Sequence, residues 1–120
     1  MALRVDCLCV DAHDPVVLGR WWGELLGWDV DDKEADEVEV KAPAGTDAGG
    51  ISCLLFLGVP DDKVVKNRLH IDLRPDDRDA EVARAESLGA RRVDIGQGEQ
   101  TWVVLADPEG NELCILRALQ

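Results

Sequence analysis

The feature that most limits what this chain can fold into is a repeat of one pattern in its two halves. Placing Cys7 over His70 also places Asp14 over Asp77 without a gap. The Leu-Gly pair that closes the helical pattern of each half then meets its counterpart after one deletion. Self-similarity at such a spacing is typical of repeated supersecondary units, so the sequence predicts two units with the same order of elements.

Apolar spacing predicts the elements of each unit. In the first half Asp14 suits a helix N-cap, Pro15 suits the first helical position and Gly27 suits the C-terminal cap. Between them, apolar side chains recur at the spacing of one helix face. We therefore expect helices at residues 15–26 and 78–88. The expected strands lie at residues 3–10, 28–31, 36–41, 51–57, 69–73, 91–95, 101–106 and 112–116.

These elements predict an α+β fold of two tandem βαβββ modules. A length of 120 residues indicates one domain, residues 1–120, with module one at 1–58 and module two at 66–120. Residues 107–111 should form a turn, since proline presets one φ angle while glycine and asparagine accept positive φ.

Composition narrows the function classes. No segment approaches the roughly 20 apolar residues of a membrane helix, and the N-terminus lacks the pattern of a signal peptide, so we expect a cytoplasmic protein without membrane partners. The net charge of −12 would repel phosphates, so nucleic acid is not an expected partner. The charge indicates either a solubility surface or a preference for cationic small molecules.

The four cysteines carry no zinc-site spacing. Cys7, Cys9, Cys53 and Cys114 include no CxxC pair. In a reducing cytosol they are expected to be free thiols, with Cys7 and Cys9 on one face of a strand in the core.

Four motifs, in order, resemble those of a known family. They are Asp14-Pro15, Trp21-Trp22 with Leu25-Leu26-Gly27-Trp28, residues 66–73 (KNRLHIDL), and residues 107–114 (DPEGNELC). Together they resemble the glyoxalase/bleomycin-resistance, or vicinal oxygen chelate, group. The resemblance implies that the two modules form a cupped mixed sheet around a cavity, that the cavity holds a small molecule, and that the chain pairs as a homodimer.

The resemblance also implies four metal-ligand positions, which this chain mostly fills with other residue types. The positions correspond to Cys7, His70, Cys114 and either Leu55 or Leu57. Hard divalent ions prefer carboxylate and imidazole ligands, and only His70 is of that kind. We therefore expect no metal and no other cofactor. The alternative is a zinc ion held by Cys7, His70 and Cys114 with an open fourth position.

Strand alternation predicts which side chains would line the cavity. Leu69, Ile71 and Leu73 should face the helices, so the residues between them should face the cavity. By the same reasoning Leu113 and Ile115 point away from it. The candidate ligand-binding residues are Cys7, His70, Asp72, Trp102, Glu112 and Cys114. Two of them have structural alternatives: His70 as a core histidine satisfied by Asp72, and Glu112 as a solvated residue beside the turn.

Three functions are compatible with these residues. The favoured one is a metal-independent small-molecule-binding protein. The alternative is a lyase, isomerase or dioxygenase of the same group, either metal-dependent or using His70 as general base with Asp72 orienting the ring. The third is a structural or regulatory dimer without a ligand.

Overall fold

The computed structural model describes residues 2–119 and confirms the repeated order of elements. Contacts divide the chain into two compact units, with the boundary between Asp62 and Lys63. Each unit contains one strand, one helix and three further strands, in that order. The α+β class and the two βαβββ modules predicted from the sequence are therefore correct. Among the described residues, no helix combines the length and apolar character needed to cross a membrane.

The first unit is a four-stranded mixed sheet with one helix. Its elements are β1 (Leu8–Ala12), α1 (Pro15–Leu26), β2 (Asp29–Glu34), β3 (Glu37–Lys41) and β4 (Cys53–Gly58). The strand order is β1-β4-β3-β2, and β1 runs parallel to β4 while the other pairs are antiparallel. The parallel pair is possible because α1 and two strands lie between β1 and β4 in the sequence.

Helix α1 has the bounds that its sequence predicts. The side chain of Asp14 accepts a hydrogen bond from Val17 N, 3.2 Å away. Pro15 occupies the start of the helix, and Gly27 ends it in the left-handed conformation with φ of 69°. The buried face includes Trp21 and Trp22, which are 7% and 4% exposed.

Two helix glycines let α1 approach the sheet closely. A Cβ atom added at Gly19 would lie 2.6 Å from Val38 Cγ1, and one added at Gly23 would lie 2.3 Å from Val30 Cγ2. Both distances are shorter than real carbon–carbon contacts, so alanine at either position would require the helix or the valine to move. The periodicity of the larger apolar residues did not reveal this requirement.

The second unit repeats the plan with shorter strands. Its elements are β5 (Ile71–Leu73), α2 (Arg78–Ser87), β6 (Arg91–Arg92), β7 (Val103–Ala106) and β8 (Glu112–Ile115). The order β5-β8-β7-β6 matches that of the first unit, and β5 is parallel to β8. Asp77 caps α2 by accepting a hydrogen bond from Ala80 N at 3.1 Å.

The strand predicted at residues 69–73 is correct only in part. It begins at Ile71, and Leu69 is 79% exposed, so the prediction that Leu69 faces a helix is wrong. Ile71 and Leu73 pair with Leu113 and Ile115, whereas residues 66–70, all of which the structure describes, belong to no strand. A leucine outside the ladder is not held to the alternation of the strand.

Candidate functional site

One face of the second sheet collects most of the predicted site residues. Asp72 and Val104 both pair with Cys114 across strands, and Ala106 pairs with Glu112. Side chains of directly paired residues point to the same face, and residues two apart in a strand share a face. This face, called here the open face, therefore carries Asp72, Cys114 and Glu112. The opposite face carries Leu105, Leu113 and Ile115, which are fully buried.

Three side chains converge on the open face where the edge strand β5 meets β8. One ligand-type atom from each of His70, Asp72 and Cys114 lies within 4.8 Å of the other two. The Nε2 atom of His70 is 3.1 Å from Oδ1 of Asp72, and these side chains are 42% and 50% exposed. His70 is thus not a core histidine, although Asp72 is the neighbour that the sequence suggested. The pair can reach a solute from solvent.

Cys114 lies beneath this pair as a neutral thiol. Its side chain is 4% exposed, and burial raises the pKa of the thiol to about 11, with the charge of Asp72 and a hydrogen bond to Asp72 adding to the effect. Because hydrogen bonding to the thiol form raises the pKa, Cys114 donates to the Asp72 carboxylate. A protonated thiol is a poor nucleophile, so the site presents a donor rather than a reactive sulfur.

Glu112 is buried rather than solvated. Its side chain is 6% exposed and pairs with the Nζ atom of Lys63. Its Oε1 atom accepts a hydrogen bond from Asn67 N at 3.1 Å and lies 3.7 Å from Lys66 Nζ. Burial alone would raise the pKa of Glu112, but the bonds from Lys63 and Asn67 and the charges of both lysines outweigh it and lower the pKa. Glu112 is therefore a fixed carboxylate.

A cleft of about 360 Å³ opens beside Glu112. Its lining residues are Lys63, Lys66, Arg91, Val93, Asp94, Ile95, Ala106, Gly110 and Glu112. Sequence reasoning missed the three basic residues. The only signal was the spacing of Lys63 and Lys66 around two valines in an otherwise acidic chain.

The turn before β8 holds Glu112 in place. Asp107 is 1% exposed, and its Oδ1 atom accepts hydrogen bonds from Glu109 N at 3.0 Å and Asn111 N at 2.9 Å. Gly110 has a φ of 89°, a conformation that glycine adopts without strain. The turn predicted at residues 107–111 thus determines where β8 begins.

The prediction of free core cysteines is wrong for three of the four. Cys7 and Cys53 form a disulfide with a Cα–Cα distance of 4.9 Å, and Cys9 is exposed. Cys7 and Cys53 precede the pair Leu8 and Leu54 in the parallel register, so they face each other across the strands. While this disulfide is intact, Cys7 has no thiolate for a zinc ion. The remaining cysteine, Cys114, is free and buried as expected.

The role of Trp102 and the choice between Leu55 and Leu57 remain predictions. Trp102 is half-buried just before β7 and belongs neither to the cleft lining nor to the cluster at Cys114. Leu55 and Leu57 are both half-buried on β4, pairing with Cys9 and Asp11. Ligand contacts by Cys7 and Trp102 remain expectations.

The side chains present do not fit a hard divalent ion. Within the described residues, the group with metal-binding potential is His70, Asp72 and Cys114. It offers one carboxylate and one imidazole, and its third member is a thiol that stays protonated at neutral pH. Only a softer ion such as zinc accepts nitrogen, oxygen and sulfur together.

Comparison with known proteins agrees with this architecture. Residues 7–116 match the family model described as the glyoxalase-like domain. The chain belongs to the glyoxalase-like domain family. No match was found between this glyoxalase-like domain and curated protein sequences.

Three solved structures are similar to this glyoxalase-like domain over nearly its whole length. Oxidase ChaP-H2 is 20% identical with a TM-score of 0.67, covering 98% of this chain and 94% of that chain. TnmS3, an antibiotic binding protein from Streptomyces sp. CB03234, is 23% identical with a TM-score of 0.65 and 98% coverage of both chains. The bleomycin-binding protein from bleomycin-producing Streptomyces verticillus, solved with copper(II)-bleomycin, is 16% identical with a TM-score of 0.63 and 98% coverage of both. At these identities the likeness shows the fold.

Proposed function

We propose that this glyoxalase-like domain is a metal-independent small-molecule-binding protein. The ligand lies on the open face of the second sheet, in contact with His70, Asp72 and Cys114. The observation that carries the proposal is the convergence of these side chains, a half-exposed polar pair above a buried neutral thiol. A few converging polar groups on an apolar floor are the usual makeup of a small-molecule site.

Two structural relatives support binding as the activity. TnmS3 is described as an antibiotic binding protein, and the Streptomyces verticillus protein was solved with copper(II)-bleomycin. Both are similar to this chain over nearly its whole length. Bleomycin, with and without copper, is therefore a sensible first probe within a panel of small molecules.

The proposal predicts that Cys114→Phe abolishes ligand-induced stabilisation. Cys114 is 4% exposed and faces Asp72 and Val104, so a phenyl ring there would occupy the floor of the site. Overpacking should also lower the free energy of unfolding by about 1–3 kcal/mol. The measurement is the melting temperature of wild-type and variant with each compound, since a ligand at 100 times its Kd adds about 2.7 kcal/mol to wild-type stability.

A second variant and a control sharpen this test. His70→Ala should weaken binding while leaving the melting temperature of the free protein nearly unchanged, because His70 is half-exposed. Cys9→Ser replaces an exposed cysteine of the first unit and should change neither ligand binding nor the melting temperature of the free protein. A panel in which nothing stabilises the wild-type, or in which stabilisation survives both site substitutions, would contradict the proposal.

A second candidate function is enzymatic, and the contact between His70 and Asp72 favours it. The carboxylate lies 3.1 Å from Nε2 of His70 and would orient the ring, leaving the other nitrogen to accept a proton from a bound substrate. The reaction would be a lyase, isomerase or dioxygenase step. This candidate moves ahead if a compound identified in the panel is consumed by wild-type but not by His70→Ala.

Metal independence gives a separate expected result. We expect purified protein to contain no stoichiometric divalent ion, because the cluster offers only His70, Asp72 and a protonated thiol. Elemental analysis of protein prepared without chelators measures this. About one zinc, nickel or iron per chain that disappears in His70→Ala would contradict it and favour the enzymatic candidate.

We also propose a homodimer located in the cytoplasm, where the Cys7–Cys53 pair would be kept largely reduced. Within residues 2–119, two strands lie at the edges of each sheet, β1 and β2 in the first and β5 and β6 in the second. One side of each edge strand's backbone has no strand partner among these residues. Edges of this kind are commonly covered by association, and two-fold pairing is the usual form. Light scattering at micromolar concentration should give the mass of two chains, and a monomeric mass would count against the proposal.

A further inference from the structure

We propose that the cleft beside Glu112 is a subsite for one carboxylate group, carried by a small molecule with a short apolar skeleton. This subsite extends the proposed function. It depends on the proposed function only for the identity of the whole ligand. The cleft lies on the open face, because Arg91 pairs with Ala106 and Ala106 pairs with Glu112. Its volume of about 360 Å³ is within the usual range for small-molecule pockets.

The charges that line the cleft leave an excess of one positive charge. Lys63, Lys66 and Arg91 contribute three cations, and Glu112 and Asp94 contribute two anions. A ligand group with a single negative charge would bring the lining to neutrality. A carboxylate has that charge and matches the planar donor geometry of arginine.

The acidic groups already have partners, whereas the basic groups retain donors; Asp94 Oδ1 accepts a hydrogen bond from Gly96 N at 2.7 Å. Both oxygens of Glu112 are engaged, one by Lys63 and the other by Asn67 N with Lys66 at 3.7 Å. An ammonium has three N–H donors, so each lysine has hydrogens beyond those that Glu112 accepts. Glu112 therefore acts as a buried anchor that orients two ammonium groups toward the cleft. The side chain of Lys66 is 54% exposed and can meet an incoming anion.

The overall charge of −12 does not prevent this binding. Exposed charges are largely screened beyond about 8 Å at physiological ionic strength, so distant carboxylates contribute little at the cleft. A bound anion would be in contact with Lys66 and Arg91 at hydrogen-bond distance. The contact groups therefore dominate the affinity, while the rest of the surface disfavours larger polyanions.

The walls of the cleft are suited to an apolar part of the ligand rather than to a second charged group. Val93, Ile95 and Ala106 line it beside the basic residues, and the two larger side chains are half-buried. Contact with an aliphatic chain would remove this apolar surface from water. A short fatty acid such as butyrate has both required parts, and butyramide is its uncharged match.

The test is a titration of the full-length protein with butyrate, followed by backbone amide chemical shifts at constant ionic strength. We expect saturable shifts at Asn67, Arg91 and Gly110, and none of comparable size with butyramide or chloride. Lys66→Gln and Arg91→Gln should each weaken binding about tenfold, which is 1.4 kcal/mol. Arg92→Gln is the matched control, because Arg92 pairs with Leu105 and its Nε lies 3.5 Å from Glu86.

The other outcomes are equally informative. Equal binding of butyramide, or butyrate binding that survives Arg91→Gln and Lys66→Gln, would overturn the carboxylate subsite. Tighter binding of inorganic phosphate than of butyrate would overturn the assignment to a singly charged carboxylate. Butyrate should still bind to Cys114→Phe, so failure of the subsite and failure of the proposed site at Cys114 are separately visible.

Discussion

Replacing Lys63 with alanine is expected to lower the free energy of unfolding by about 3 kcal/mol at neutral pH. The substitution removes the ammonium that contacts Glu112, whose side chain is only 6% exposed. Removing one partner of a buried ion pair leaves the other charge poorly compensated, and such losses reach 3–5 kcal/mol for fully buried pairs. Glu112 would keep only the bond from Asn67 N and the more distant Lys66, so we expect a loss at the lower end of that range. Chemical denaturation of wild-type and variant measures the difference in free energy of unfolding. The comparison requires that this free energy fall with denaturant concentration at the same slope in both proteins.

The loss should depend on pH in a direction that follows from the pKa of Glu112. Lys63, Asn67 and Lys66 hold that pKa below its ordinary value in the folded state despite burial. The stabilisation is therefore present above the unfolded pKa of about 4.3 and is lost as pH falls through the lower folded value. The difference in free energy of unfolding between wild-type and Glu112→Gln should therefore decrease over the same acidic range. A difference that stays constant down to strongly acidic pH would contradict the assignment.

Two further variants separate the pair from simple packing. Lys66→Ala should cost less than about 1 kcal/mol, because Lys66 is 54% exposed and 3.7 Å from the carboxylate. The double variant Lys63→Met with Glu112→Leu should recover much of the loss of Lys63→Ala, since apolar replacement of a buried pair is often neutral. Equal losses in Lys63→Ala and in the double variant would assign the effect to packing.

Opening the Cys7–Cys53 disulfide is expected to lower the free energy of unfolding by about 4 kcal/mol in the chain-entropy description. The cysteines are 46 residues apart, and the bond restricts the unfolded chain over that whole loop. Oxidised wild-type should therefore unfold at a higher denaturant concentration than wild-type in a thiol reductant. Cys7→Ala should behave like the reduced protein and gain no further sensitivity to reductant.

Thiol labelling provides the matched control. In oxidised native protein the exposed Cys9 should react readily, while Cys114 should react only on unfolding, because it is buried and its pKa is raised to about 11. Cys9→Ala should keep the stability difference between oxidised and reduced protein. Rapid labelling of Cys7 as well as Cys9 in native protein without reductant would show that the disulfide is absent in solution.

The parts of the fold that sequence predicted well are those where several local signals agree. For α1, the N-cap at Asp14, Pro15, the apolar spacing and Gly27 all indicate the same bounds, and the helix spans Pro15–Leu26. The strand expected at residues 69–73 rested on alternation alone and is shorter. Alternation describes residues inside a ladder and does not show where the partner strand stops.

The candidate site was predictable only where strand alternation determines which face of the sheet a side chain occupies. Alternation and the turn at residues 107–111 correctly put Asp72, Cys114 and Glu112 on one face. The partners of Glu112 were not predictable, because Lys63 and Asn67 lie 49 and 45 residues before it and approach only through the fold. The disulfide was missed for the same reason, since it depends on β1 pairing with β4.

The two helices differ in how much apolar surface they contribute, and this affects what a ligand encounters. Helix α1 buries Leu18, Leu25 and two tryptophans, whereas α2 buries only Val82 and Ala85. Segments with few buried apolar groups open locally at a smaller free-energy cost and lose amide hydrogen-exchange protection first. We therefore expect amide protons of the unit that carries the open face to exchange more readily than those of the first unit. Ligand binding at the open face would reduce these local opening motions. The entropy cost of that ordering would lower the observed affinity.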